Sequence, residues 1–285
     1  MPHLAVLGAT LLWSVVPVLT KVALEAFSPS FIALARLFQA LLLVLLVRRP
    51  RGWRDVGVLS AWLAGLGLGT NYLFMAVGLL YTTASACNVV VQIEVVVLVV
   101  LARLFLNERL DAGKAVGMVL SVVGVGLVGW SGETVAALLA SKYTLGNMLV
   151  AIAGLCWAAY ALFQKKALAR MQVAQSLVPV FAAASVSCIP GLLVQRAFVG
   201  QPGAQHWLAL LVLGAPCTGL SYLLLAWGMR RIGASTTGLL TTMLPVFTLF
   251  EAYWFLGEAV TWYLGVGAAL VVAGVAVISS TGRSS

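Results

Sequence analysis

The chain has 285 residues, of which 62% are hydrophobic and only 9% charged, and its mean hydropathy is +1.07. A water-soluble domain carries roughly 25% charged residues, so this composition excludes a soluble globule and makes lipid the main solvent. The formal net charge of +9 could indicate nucleic acid, but the placement of the basic residues along the chain points to a membrane.

Lipid offers backbone amides no hydrogen-bond partner, so only helices or closed barrels can span it. Barrel strands alternate apolar and polar residues over about ten positions. Here the apolar stretches are nearly continuous and about 20 residues long, the length at which a helix crosses the hydrocarbon. The fold class expected is therefore all-α integral membrane.

Ten spans are predicted, at about 3–24, 29–47, 56–80, 82–105, 113–131, 145–168, 174–195, 206–229, 234–256 and 262–280. The first has no basic leader and no small-residue cleavage site, so it reads as a retained span. The boundaries at "YTTAS" (81–85) and "RRIGAS" (230–235) are the shortest. With a cytoplasmic N-terminus, thirteen basic residues fall in inner segments. Three (Lys21, Lys142 and Arg196) fall in outer ones, with Arg36 inside a span. That asymmetry is a positive-inside signal, and it puts both termini in the cytoplasm. The four cysteines, Cys87, Cys156, Cys188 and Cys217, fall within spans without paired spacing and read as small apolar packing residues.

The chain repeats itself. At an offset of 150, Tyr72, Ala76 and Gly78 meet Tyr222, Ala226 and Gly228, and Phe105 and Glu108 meet Phe255 and Glu258. Gly117 and Gly124 meet Gly267 and Gly274. Near the start of each half the offset is 144, laying Trp13 and Lys21 on Trp157 and Lys165. The expected units are 1–131 and 145–281, each of five spans. An odd span number makes the second unit enter from the other side, so the repeats are inverted, a recurrent plan of secondary transporters.

Two five-helix halves, each closing with a short motif and a Gly-rich span ("LFLNERLDAGKAVGMVLSVVGVGLV" and "WFLGEAVTWYLGVGAALVVAGVAVI"), resemble the EamA family of the drug/metabolite transporter (DMT) superfamily. Within it, the chain looks most like bacterial inner-membrane exporters of aromatic and other neutral amino acids. One departure is that the second half has Pro245 in "TTMLPVF", whereas the first half has Val95 there, directly after Glu94.

Polar residues inside spans are functional candidates, weighed against snorkelling and helix gluing. In "NVVVQIEVVVLVV", Asn88 and Gln92 form one helical stripe with Ser85, and the matching span carries Ser235 and Thr242. Glu94 falls about 200° around the helix from Gln92, off that stripe. Arg36 is its candidate partner, either in a structural ion pair or in a proton-linked switch. Glu251 is expected to reach the interface, and Lys21 and Lys165 to snorkel. Glu108 and Glu258 are expected to cap the spans that follow them.

Trp53, Trp62, Trp207 and Trp262 lie near span ends as interfacial anchors. Trp13, Trp157, Tyr72, Tyr160 and Tyr222 lie deeper and are expected to wall a cavity for a neutral substrate with an apolar side chain. Asn71 and Ser221, beside the Tyr pair, are candidates to hold an amino acid's ammonium or carboxylate.

The leading expectation is a secondary exporter of amino acids, including Met and Thr, working by alternating access. It would act as a monomer in the lipid bilayer, with a small-molecule substrate and no nucleic acid. The alternative is a multidrug or other small-metabolite exporter. An intramembrane enzyme lacks its parts: no GxxxxGK[ST], HExxH or GxSxG occurs, and the two histidines, His3 and His206, sit at span edges. No cofactor or metal site is implied.

The inverted plan makes a topological prediction. Single cysteines placed at positions 108 and 258, in a chain whose own four are replaced, should react with impermeant thiol reagents from opposite sides of the bilayer. Labelling from one side would refute the inversion.

Overall fold

The structure is a computed structural model that describes residues 2–47, 58–106, 112–130, 141–232, 240–241 and 243–281. Its regular elements are helical: α1 (Pro2–Ser14), α2 (Val16–Leu24), α3 (Pro29–Val47), α4 (Leu59–Gly78), α5 (Ala84–Val90), α6 (Ile93–Leu106) and α7 (Ala112–Trp130) in the first half. The second half contains α8 (Lys142–Leu168), α9 (Val173–Val194), α10 (Ala204–Gly214), a π-helical turn (Ala215–Leu220), α11 (Ser221–Ile232), α12 (Leu244–Leu256) and α13 (Trp262–Thr281). Five helical stretches, among them Pro2–Leu24 and Lys142–Leu168, are long and apolar enough to cross a membrane. Their outward faces carry exposed large apolar side chains such as Leu46, Leu193 and Leu208. Water would penalise that surface, and lipid does not.

Three of the apolar runs are not continuous helices. The first breaks at Val15, where Pro17 opens α2 and leaves the carbonyl of Trp13 without its i+4 amide. The fourth was expected to run unbroken over 82–105, but it parts at Val91–Gln92 into α5 and α6. No proline is responsible. The amides of Gln92, Glu94 and Val95 instead bond three residues back, to Val89, Val91 and Gln92, a local tightening into 3₁₀ turns. α8 crosses here at Gly154, where an added Cβ would lie 2.8 Å from Ile93 Cγ2 and 3.0 Å from the Val91 carbonyl. The eighth run carries the π-helical turn around Pro216.

Packing pairs the two halves. α7 lies against α13, α3 against α9, α4 against α8, and α1 against α11. The α7–α13 seam is closed by glycines, because backbones approach this closely only where no Cβ stands between them. A Cβ on Gly117 would meet the Gly274 carbonyl at 2.5 Å, and one on Gly124 would meet the Gly267 carbonyl at 2.6 Å. Exchanging the halves at the offset of 150 turns the first contact into the second.

At one end of the bundle two connections are tied together. The amide of Ser28 donates to the Ala197 carbonyl and that of Val199 to the Ala26 carbonyl, both at 3.0 Å. Phe27, Phe31, Phe198 and Trp207 stack over this bridge, with Phe27 and Trp207 ring centroids 4.8 Å apart. Trp207 is therefore a packing residue as well as half-exposed, while Trp53 lies outside the described residues.

Glu258 departs from its expected place. After α12 ends at Gly257, which takes a left-handed φ of 66°, Glu258 turns away from α13 and caps α5. Its carboxylate accepts the amides of Ala84 at 2.8 Å and Ser85 at 3.0 Å, and the Ser85 hydroxyl at 2.8 Å. Lys21, expected to snorkel, approaches the same carboxylate at 3.8 Å. A carboxylate is favoured at a helix N-terminus, where four amides lack partners, and the chain brings the tip of α5 within its reach. Glu108 lies outside the described residues. Lys165 is exposed in the last turn of α8.

The glycine seam gives a stability test. Gly124→Ala should destabilise the detergent-solubilised protein by about 1–3 kcal/mol through overpacking. Gly126→Ala, whose methyl would meet nothing within 4 Å, should leave the thermal midpoint unchanged or raise it. Thermal unfolding of the two variants side by side checks both.

Candidate functional site

The breaks at Val15 and Val91–Gln92 converge on one cavity of about 90 Å³, lined by residues that include Trp13, Arg36, Asn71, Tyr72, Asn88, Gln92, Glu94, Trp157 and Tyr222. They come from α1, α3, α4, the α5–α6 junction, α8 and α11. Typical ligand pockets hold roughly 300–1,000 Å³, so this conformation is too tight for a bulky ligand unless its walls move.

The aromatic wall centres on Tyr222. Its ring lies 5.4 Å from Trp13 and 5.7 Å from Phe181 in edge-on contacts. Tyr160 stands behind it, 6.1 Å from Tyr222 and 5.9 Å from Trp157, supporting the wall rather than lining it. Tyr72 completes the enclosure from α4.

Arg36 is 5% exposed. Its guanidinium lies over the Tyr72 ring, 4.4 Å from the centroid, and Nη2 donates to Thr218 Oγ1 at 3.4 Å. Nε is buried with no partner among the described residues. Tyr72 also donates to Thr218 Oγ1, at 3.3 Å, and Thr218 donates back to the Leu213 carbonyl. The π-helical turn explains that last bond, because it offers a carbonyl five residues back. Thr218 was absent from the sequence-based candidates; the helix-breaking "GAPCTG" run was the signal for it.

The ion pair expected between Glu94 and Arg36 is not formed, although both side chains line the same cavity. Nor are Gln92 and Glu94 on separate faces. The break at Val91–Gln92 interrupts the 100° progression, so both reach the cavity. Neither side chain has a hydrogen-bond partner among the described residues.

Asn88 performs a structural task beside the cavity. Its amide nitrogen donates to Thr248 Oγ1 and, at 3.4 Å, to the Ser14 carbonyl. Thr248 donates to the same carbonyl at 2.8 Å. At the break in the first run, the Ser14 carbonyl, next to that of Trp13, thus accepts from side chains of α5 and α12. Glu251 was expected at the interface. It points inward instead, where the Ser14 hydroxyl donates to its Oε1 at 2.8 Å and its Oε2 is buried without a partner among the described residues. The break at Val15 opens the room it occupies.

Of the other candidates, Asn71 donates to the Ala153 carbonyl at 2.8 Å, joining α4 to α8 while facing the cavity. Ser221 donates to the Cys217 carbonyl at 2.7 Å within its own helical run and does not line the cavity. Thr242 lies outside the described residues.

Apolar helices facing lipid, broken where they surround a small cavity with polar and aromatic walls, define a multi-pass membrane transporter. The comparisons agree. The model of the EamA-like transporter family matches residues 1–130 and 144–280, and the chain belongs to that family. An uncharacterized inner membrane transporter of Escherichia coli (strain K12), YhbE, is 26% identical over 87% of this chain and 78% of its own. A probable terminal-alkyne amino-acid exporter of Streptantibioticus cattleyicolor is 36% identical over 84 residues, 30% of this chain and 28% of its own. A protein of known crystal structure shares the fold, with a TM-score of 0.72 and 21% identity over 99% of this chain and 97% of that one.

The Ser14 carbonyl gives a test of the helix break. Asn88→Ala or Thr248→Val alone leaves it one donor and should cost about 0.6 kcal/mol, the scale of one hydrogen bond between membrane helices. The double variant leaves a buried carbonyl unpaired and should cost about 1–3 kcal/mol, more than the sum. A double-variant cycle on thermal unfolding measures the excess.

Proposed function

We propose that the protein is a secondary exporter of amino acids, aromatic and other neutral ones such as Met and Thr, working by alternating access without a cofactor. It would lie in a bacterial inner membrane as a monomer of ten spans, built from two inverted five-helix units with both termini in the cytoplasm. The observation that carries the reading is the cavity: Trp13, Tyr72, Trp157 and Tyr222 enclose it, and hydrogen-bonding and charged groups are few and placed among them. Such walls suit a ligand with an apolar side chain and a small polar head.

Three further observations support it. The glycine contacts of α7 and α13 exchange with one another when the halves are exchanged, as two copies of one unit require. The broken runs supply short helices that can tilt about Val15 and Val91–Gln92 to open a tight cavity. The partial relative from Streptantibioticus cattleyicolor carries the words "amino-acid exporter" in its name. A multidrug cation exporter of the same superfamily is the second reading. The unpaired Glu94 favours it, and Arg36 in the same cavity opposes it.

Liposomes carrying the purified protein should take up radiolabelled Phe, Trp, Met or Thr saturably, with a pH gradient imposed or absent according to the coupling. No flux of any of the four under either condition would remove the amino-acid assignment. Trp157→Ala should weaken apparent affinity about two- to tenfold, the worth of one aromatic contact, without lowering folded yield.

A further inference from the structure

The cavity is lined by two ionisable side chains of opposite type that have no oppositely charged partner among the described residues. Arg36 is permanently cationic and buried, and among the described residues it has a ring, a hydroxyl and no carboxylate. Its Nε is buried without a partner among the described residues. Glu94 lines the same cavity and pairs with no cation among the described residues. It sits in the first turn of α6, where the partial positive charge of a helix N-terminus favours a carboxylate. That N-terminus exists in the middle of an apolar run only because the helix breaks at Val91–Gln92.

Unpaired charge in a water-poor site is costly unless it is neutralised by a partner. The two side chains form no ion pair with each other, although both line the cavity. A ligand with one charge would satisfy one pole and leave the other. A ligand bearing both an anion and a cation would satisfy both at once.

Resting on the amino-acid reading above, we infer that Arg36 and Glu94 are the two poles of a zwitterion site, Arg36 taking the substrate's α-carboxylate and Glu94 its α-ammonium. The guanidinium presents a planar fork that suits a carboxylate bidentately, and Tyr72 and Thr218 hold that fork from one side and leave Nε free. The side chain of the substrate then lies along Trp13, Trp157 and Tyr222. Gln92, next to Glu94 and without a partner among the described residues, adds a neutral donor and acceptor to the ammonium end. Asn71 and Asn88, already bonded to the Ala153 and Ser14 carbonyls, are left as supports of the walls.

The test uses the full chain in detergent micelles and three probes of one shape: L-phenylalanine, 3-phenylpropionate, which lacks the amine, and 2-phenylethylamine, which lacks the carboxylate. Each competes against radiolabelled L-phenylalanine. The wild type should hold L-phenylalanine about ten- to a hundredfold more tightly than either analogue, the scale of one lost charge-assisted bond. In Arg36→Gln, L-phenylalanine should bind no better than 2-phenylethylamine. In Glu94→Gln it should bind no better than 3-phenylpropionate. Either variant keeping the wild-type ratios overturns the assignment of its pole. Equal binding of the three probes to the wild type overturns the whole site and needs no variant to fold. Wild-type liposomes that move no amino acid would remove the exporter reading itself. Phenylalanine flux with unchanged ratios would remove only the two poles.

Discussion

Every backbone amide and carbonyl inside a bilayer must find its partner within the protein. In this chain, that constraint decides where regular helix can stop. The break at Val15 is possible because Asn88 and Thr248 reach the Ser14 carbonyl from two other helices. The break at Val91–Gln92 is bridged by bonds three residues back. The π-helical turn gives Thr218 a carbonyl five residues away. Each interruption is thus answered locally or by a neighbour; the first two border the cavity, and the third supports Arg36 and Tyr72 in its wall. Irregular backbone at this depth is tolerated where it lines such a space, which links the hydrogen-bond requirement to the site.

The same economy shapes the packing. Lipid tails are as apolar as leucine, so helices gain nothing from merely hiding apolar surface and must instead fit closely. The glycines of α7 and α13 allow that fit at two symmetric points, and Gly154 allows α8 to pass the break between α5 and α6. Close packing in these places fixes the scaffold around helices that are short. The short pieces α2 and α5 are both tied to Glu258, one through Lys21 and one through its own N-terminal amides. A single carboxylate therefore joins the two segments whose opposite ends border the cavity.

Charge is the scarcest component of the chain and the most informative about the site. Most basic residues lie outside the spans, where water and headgroups receive them. Arg36 and Glu94 lie within spans, line one cavity and do not pair. The absence of a contact between them distinguishes this site from a structural ion pair. Arg36 is instead held over Tyr72 and against Thr218, and Glu94 is fixed by the start of α6.

Much of this was legible in the sequence, because lipid imposes a crude requirement that composition and run length meet or fail. The helical class, the internal repeat, the family and the deep aromatic residues follow from runs of apolar residues and from Glu, Trp, Tyr and Gly recurring at fixed offsets. Trp13, Tyr72, Trp157 and Tyr222 needed only their depth. The sequence could not show that the fourth run breaks at Val91–Gln92, since no proline or glycine marks it and its cause is the approach of α8. With that break hidden, the helical wheel put Glu94 and Gln92 on different faces. Nor could it show that Glu258 caps α5, that Glu251 turns inward to Ser14, or that Thr218 supports Arg36. Those partners lie between 174 and 237 positions apart along the chain, and Thr218 also depends on a π-helical turn. Periodicity speaks for one helix at a time; only the packed bundle brings a carboxylate to another helix's tip and leaves two charges facing a common space.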